Sequence, residues 1–198
     1  MQILVRKVPP AGVGAEHPLL DRIYAARGIS NVAEMDRKLS TLLSPERLPD
    51  IGNAAMRLAD AVQKQEKILI VGDFDADGAT SVALCMLALK SFGAEHVDFL
   101  VPNRFDFGYG LSPEIVQLAQ TKHPDLIMTV DNGVASIAGV AEANAANIDV
   151  IITDHHLPGE QLPDALALVN PNLNDSGFPS KSMAGVGVAY YVLSLSLI

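Results

Sequence analysis

This chain of 198 residues has one cysteine, no tryptophan, and only 14 lysines and arginines against 23 aspartates and glutamates. A lone Cys85 can build neither an internal disulfide nor a cysteine-based zinc site, which points to a reducing, cytoplasmic setting. The net charge of −9 and the pI near 4.9 argue against a broad basic surface of the kind that grips nucleic acid unaided. They leave room for a phosphate substrate reached through cations, because a bound metal reverses the local field. No apolar run reaches the roughly 18 residues a membrane span needs, so no membrane partner is expected. The opening MQILVRKVPPAG lacks the apolar stretch of a signal peptide. Internal repeats and low-complexity tracts are also missing.

What is present is an apolar content of 49% with 19% charged residues, enough for one globular domain and a small appended segment. Residues 1–66 read as a helical lead-in. HPLLDRIYAARG ends on Gly28, a C′ glycine. NVAEMDRKLSTLL has an amphipathic helical pattern, and Pro45 and Pro49 break the chain after it. IGNAAMRLADAVQKQEK spaces Ala55, Leu58, Ala59 and Val62 for another helix. From Lys67 the pattern changes to alternating strands and helices. ILIVGD, HVDFLV, LIMTVD, VIIT and ALALVN read as strands, several of them continuous apolar runs expected of strands covered on both faces. ATSVALCMLALKSF at 79–92 is apolar nearly all round and reads as a buried helix, while SPEIVQLAQ starts with Ser112 as N-cap and Pro113 at the first helical position. The expected fold class is α/β: a mostly parallel sheet of about five strands with helices on both faces, spanning 67–198, preceded by the short helical segment. GVGVAYYVLSLSLI starts a last helix that the chain end interrupts, which reads as a cut chain.

Three of the apolar runs end in acid or histidine: GDFDADG after the first, DNG after the third, DHH after the fourth. In a parallel sheet, ligands sit beyond the carboxyl ends of the strands. So many like charges at one edge repel unless a cation holds them. Asp73, Asp75 and Asp77 alternate, and in extended chain they would share one face. Oxygen donors next to a helix start suit Mg²⁺ or Mn²⁺. An EF-hand loop fails here, because Leu84 stands where its closing glutamate belongs and a strand precedes the motif. The strand-end D-x-D-G-T of haloacid-dehalogenase-type phosphatases, with Asp75 as nucleophile, is weakened by Ala79 in place of threonine. Asp131 is followed by an Asn-Gly turn signal. In Asp154-His155-His156 the adjacent side chains of an extended chain diverge, so one histidine ligates while the other meets substrate or a supporting group.

The loop PNRFDFGYG follows the second strand and so lies at the same edge. Arg104 suits bidentate phosphate contact. Phe105, Phe107 and Tyr109 offer faces for bases or simply tuck the loop. Lys181 and the glycines of AGVGVA form a further candidate phosphate contact at a helix start.

GDFDADG at 72–78, VPNRFDFGYG at 101–110, TVDNG at 129–133, TDHH at 153–156, NPN at 170–172 and AGVGVA at 184–189 together resemble the DHH phosphoesterases. The resemblance covers almost the whole chain. It implies a metal-dependent 5′→3′ exonuclease domain acting on single-stranded DNA in repair and recombination, with two ions of Mn²⁺ or Mg²⁺. By that resemblance Asp75 and Asp77 are the metal-binding pair of the first motif, with Asp73 a close supporting carboxylate. Asp131 is the bridging ligand and His155 a ligand. His156 stands on the substrate side, Asp154 orients the histidines, and Asn103 and Arg104 contact the phosphate. It also implies a further ligand aspartate after AGVGVA, for which the sequence up to Ile198 has no candidate. The DHH-associated and OB domains that complete the cleft would be partners in the same enzyme, so low activity is expected of these residues alone. A phosphodiesterase for short oligonucleotides or cyclic dinucleotides, and a non-catalytic scaffold with the same fold, are the alternative readings.

Overall fold

The computed structural model describes residues 12–36, 38–103 and 108–196. The chain forms two compact units, residues 1–43 and 44–198.

In the first unit, helix α1 (Pro18–Ala26) opens with His17 as N-cap, its Nδ1 accepting the Leu19 amide at 3.2 Å, and Gly28 follows it in the left-handed conformation. The Asp21 carboxylate collects the amides of Val13, Gly14 and Ala15 at 2.8–2.9 Å. The amphipathic pattern of NVAEMDRKLSTLL does not form an α-helix. It gives two 3₁₀ turns, Val32–Met35 and Leu39–Thr41, on either side of an extended Asp36. Asp36 accepts the Lys38 amide through its own side chain at 3.1 Å, a local bond that competes with the helical ladder.

The second unit holds α2 (Ile51–Gln63), β1 (Ile68–Gly72), α3 (Ala76–Ser91), β2 (Val97–Leu100), α4 (Pro113–Gln120), β3 (Leu126–Val130), α5 (Ile137–Ala145), β4 (Asp149–Thr153), β5 (Ala167–Val169) and α6 (Gly185–Leu195). The five strands form one all-parallel sheet in the order β2-β1-β3-β4-β5. Strand order reverses at β1, so the space beyond the carboxyl ends of β1 and β3 is the topological switch point of the sheet, where open α/β folds bind ligands.

Alternate residues of each central strand supply two cores. Ile68, Ile70, Met128 and Ile151 pack on one face with Leu58 of α2, Cys85 and Leu89 of α3, and Val188 and Val192 of α6. Leu69, Val71, Ile127 and Ile152 pack on the other face with Ile115 and Val116 of α4 and Val140 of α5. Burial on both sides explains why β1 and β3 read as unbroken apolar runs. The edge strand β2 is less covered, with Phe99 49% exposed. α3 is not buried all round: Thr80, Ala83 and Leu87 face outward, Leu87 at 72% exposure. Its apolar composition therefore exceeds what the sheet alone requires. No helix among the described residues is long and apolar enough to cross a membrane.

Candidate metal centre

Each central strand delivers one acid to the switch point. β1 ends at Gly72 and is followed by Asp73, β3 by Asp131 and β4 by Asp154. Asp131 and Asp154 are buried, at 1% and 0% exposure.

The acidic cluster after β1 does not run on as extended chain. Helix α3 starts at Ala76, Asp75 is its N-cap, and the Asp75 side chain accepts the Gly78 amide at 2.9 Å. The three carboxylates consequently leave the backbone in different settings instead of lining one face. Asp77, in the first turn, reaches across to α6: its two oxygens accept the amides of Gly185 and Val186, both at 2.8 Å. Ala184, the N-cap of α6, makes no side-chain cap, so Asp77 supplies the missing acceptor from 108 residues away.

Asp131 adopts φ +61°, with its amide bonded to the Thr153 carbonyl at 3.0 Å. The neighbouring Asn132 is buried and donates to the carbonyls of Val71 (3.1 Å) and Val130 (2.9 Å), tying the ends of β1 and β3 together. Asp131 Oδ1 is buried and has no hydrogen-bond donor among the described residues. It faces His155 Nε2 at 3.0 Å, and His155 Nε2 lies 3.6 Å from Asp77 Oδ2. Burial, joined by Asp77 and Asp75, pushes the Asp131 carboxyl up to about 7. A buried carboxylate oxygen faced only by an imidazole nitrogen, in a cluster that disfavours its ionisation, suits a cation.

Asp154 has a different task. Its Oδ1 accepts from the amides of His155 (2.7 Å) and His156 (3.0 Å) and meets His156 Nδ1 at 2.7 Å, while Oδ2 accepts from the Val134 amide at 2.8 Å. Burial alone would raise this carboxyl, but the bonds from His156 and Val134 outweigh it and hold the group below the ordinary carboxylate range. The same bond, against the opposing effect of burial, raises His156. With Nδ1 turned to Asp154, the opposite nitrogen, Nε2, is the one His156 presents outward. Asn170 Nδ2 donates to the His156 carbonyl at 2.9 Å and Asn172 Nδ2 to that of His155, so the end of β5 clamps the backbone of both histidines.

Two groups of donors result. Asp73, Asp75 and Asp131 form one, Asp131, His155 and His156 the other, with the atoms in each within 4.8 Å of one another. Asp131 is common to both. The donors are oxygen and imidazole nitrogen, which suits Mn²⁺ or Mg²⁺. The fit rests on the buried Asp131 Oδ1, which faces the His155 ring nitrogen, and on the room left beside it: a Cβ at Gly185 would stand 2.5 Å from that oxygen.

The other expected contacts fare differently. Asn103 is exposed, three residues past the end of β2. Arg104, Phe105 and Phe107 lie outside the described residues. Lys181 is not directed at a phosphate: its Nζ donates to the carbonyls of Pro171 and Ser176. Tyr109, expected only as a base-stacking or loop-tucking ring, donates through its hydroxyl to the Asp131 carbonyl at 3.0 Å and meets His156 Nδ1 at 3.2 Å. Burial and the surrounding carboxylates raise its phenol, so the hydroxyl keeps its proton. Asn170, Asn172 and Gly185 had a signal in NPN and AGVGVA, but no role could be read from spacing alone. A cleft of about 300 Å³ runs beside His156, walled by Tyr109, Ser112, Val134, Ser136 and Leu157. A cavity of similar size at the amino end of β1 and β2 holds none of these donors.

Residues 67–197 match the DHH family, N-terminal domain. The chain is 55% identical over 188 residues to the single-stranded-DNA-specific exonuclease RecJ of Haemophilus influenzae, covering 95% of this chain and 33% of the relative. It is similar to a crystal structure of exonuclease RecJ bound to manganese, with a TM-score of 0.70 and 34% identity, covering 78% of this chain and 39% of that one. It is also similar to RecJ of Thermus thermophilus in complex with Mn²⁺, with a TM-score of 0.68 and 31% identity over 87% of this chain and 24% of that one. The chain thus spans about a third of the length of the curated relative it matches.

Proposed function

The chain belongs to the DHH family, N-terminal domain, and from that premise we propose that it is the cation-holding part of an exonuclease that degrades single-stranded DNA from the 5′ end to 5′-mononucleotides, in DNA repair and recombination. The observation that carries this reading is the shared Asp131: one buried carboxylate joins donors from three strand ends at the switch point. Relatives that match most of this chain are named as single-stranded-DNA-specific exonucleases, and two solved structures are described with manganese. Segments those relatives carry outside the matched third would supply the rest of the cleft.

Asp73, Asp75 and Asp131 would hold one Mn²⁺ or Mg²⁺ ion, and Asp131 and His155 the other, with His156 beside it on the substrate side. Asp77 remains a ligand candidate beside the second group, since each of its oxygens accepts one amide and retains a lone pair. Such ions, when bound, lower the pKa of water and neutralise charge on phosphoryl oxygens. The chain's own residues set the rest. Asp154 fixes the His156 ring with its proton on Nδ1. His156 Nε2, on a ring whose protonated form is favoured, would hold a non-bridging phosphate oxygen, with Asn103 and Arg104 as further phosphate contacts. In the hydrolysis, the oxygen of water bonds to phosphorus, the P–O3′ bond breaks, and the departing 3′ oxygen takes up a proton.

Calorimetric titration with Mn²⁺ tests the site. The wild-type chain should bind, and Asp131→Asn should weaken both sites, since it removes charge from the residue they share. Wild type that takes up no Mn²⁺ would favour a scaffold that only keeps the fold. Mn²⁺-dependent release of 5′-mononucleotides from 5′-phosphorylated single strands should be weak for the 198 residues alone. It should be robust in a protein that carries this chain together with the further segments of its relatives. Turnover confined to short oligonucleotides or cyclic dinucleotides would move the substrate to that class.

A further inference from the structure

The sequence around Tyr109 is Gly-Tyr-Gly, and both glycines adopt left-handed backbone, Gly108 at φ +75° and Gly110 at φ +76°. Residues with a Cβ take that conformation at a cost, so two such turns in three residues fix where the intervening side chain can go. The loop is anchored just beyond: the Leu111 amide donates to Ser136 Oγ at 3.0 Å, and the Leu111 side chain is buried. Between these fixed points the Tyr109 hydroxyl reaches the main-chain carbonyl of Asp131 at 3.0 Å and His156 Nδ1 at 3.2 Å, and its ring meets the imidazole edge-on at 5.7 Å between centroids.

The direction of each bond follows from the atoms. A carbonyl oxygen only accepts, so the single hydroxyl proton goes to Asp131. The hydroxyl oxygen is then an acceptor toward His156. Asp154 Oδ1, 2.7 Å from the same Nδ1, is an acceptor too. Nδ1 must therefore carry a proton, shared in a three-centre bond between Asp154 and Tyr109, and Nε2 is left as the outward atom.

We propose that Tyr109 is a positioning residue of this site: its one hydroxyl sets the Asp131 main chain and the His156 ring, whose Nδ1 proton Asp154 already holds, in a common register. The inference rests on the reading that Asp131 and His156 belong to a metal centre, and it adds a part the donor groups themselves do not contain. Asp131 is the shared member of both groups, and its left-handed backbone has little latitude. A displacement of its carbonyl turns its side chain. His156 belongs to one group only. A bond that ties the two together thus fixes the spacing within the Asp131–His155–His156 group directly and that of the other group through Asp131.

The variant Tyr109→Phe deletes the hydroxyl and keeps the ring, which is 46% exposed, so the fold should survive. Two measurements on the 198-residue chain decide the matter. In the metal-free protein, the Asp131 carbonyl ¹³C shift and the His156 ring ¹H shifts should move in Tyr109→Phe, while the Nδ1 proton keeps its bond to Asp154. In Mn²⁺ calorimetry the variant should bind about tenfold more weakly, the usual scale for removing a group that orients a ligand. A purely structural tyrosine would lower the melting temperature and leave both readouts in place. Unchanged shifts at Asp131 and His156, or Mn²⁺ affinity within about twofold of wild type, would overturn the inference while leaving the metal centre intact. Wild type that binds no Mn²⁺ would instead overturn the reading of the centre, and with it the role of Tyr109 there.

Discussion

Asp131 is the residue on which the site turns, and its chemistry is open to test without any substrate. Burial and nearby carboxylates hold its folded pKa at about 7, against 3.8 for an ordinary aspartate. The folded chain therefore binds this proton more tightly than the unfolded chain does. In the metal-free protein the resulting stabilisation is complete below about pH 4 and is lost as pH rises through about 7. Asp131→Asn keeps a neutral side chain at every pH. The metal-free variant should accordingly melt higher than wild type at about pH 8, with the difference shrinking toward about pH 4, as followed by circular dichroism in a chelator. Asp154, by contrast, is held low by His156 and Val134, so its contribution is present at neutral pH and lost on acidification. Two buried aspartates at neighbouring strand ends are thus driven in opposite directions by their partners. Their positions as strand-end acids were legible in the sequence. Their partners were not, because the donors to Asp154 and the imidazole that faces Asp131 are fixed by folded-state proximity.

At the scale of elements, the pairing of α3 with α6 decides how the acids are displayed. Period-two spacing in DFDAD suggested an extended chain, but the N-cap of α3 falls on the middle aspartate and converts the stretch to a helix start. Capping by aspartate is legible in sequence, and here it competed with an equally good strand pattern. The use of Asp77 to cap α6 was not legible, since nothing in Asp77 or AGVGVA names the other across 108 residues. Gly185 gives the element-level test. An added Cβ would lie 2.5 Å from Asp131 Oδ1 and 2.9 Å from its Cβ, with Asp77 holding the same amide. Gly185→Ala should cost about 1–3 kcal/mol through overpacking, offset by up to about 1 kcal/mol of helix propensity. Thermal melts should fall by up to several degrees; Mn²⁺ affinity, read by calorimetry, should fall sharply because Asp131 must move.

For the whole molecule, the alternation of apolar runs with helices carried the fold: five parallel strands, helices on both faces, and acids at the carboxyl edge were all readable from period and punctuation. The order of the strands was not, and it is the order that puts β1 beside β3 and makes their ends a crevice. The acidic balance of the chain also becomes intelligible, since a site that concentrates carboxylates is relieved by cations. Mn²⁺ at about a hundred times its Kd should raise the unfolding free energy by about 2.7 kcal/mol. The gain should be read as a higher urea midpoint, reversed by EDTA and reduced in Asp131→Asn. One consequence concerns the birth of the protein. The ligands are distributed over β1, β3 and β4, residues that leave the ribosome far apart in time, and the glycine against Asp131 follows all of them. A nascent or half-assembled chain owns scattered acids but no cage, so manganese capture marks the moment α6 docks, and its kinetics during refolding should track that closing event rather than the first collapse.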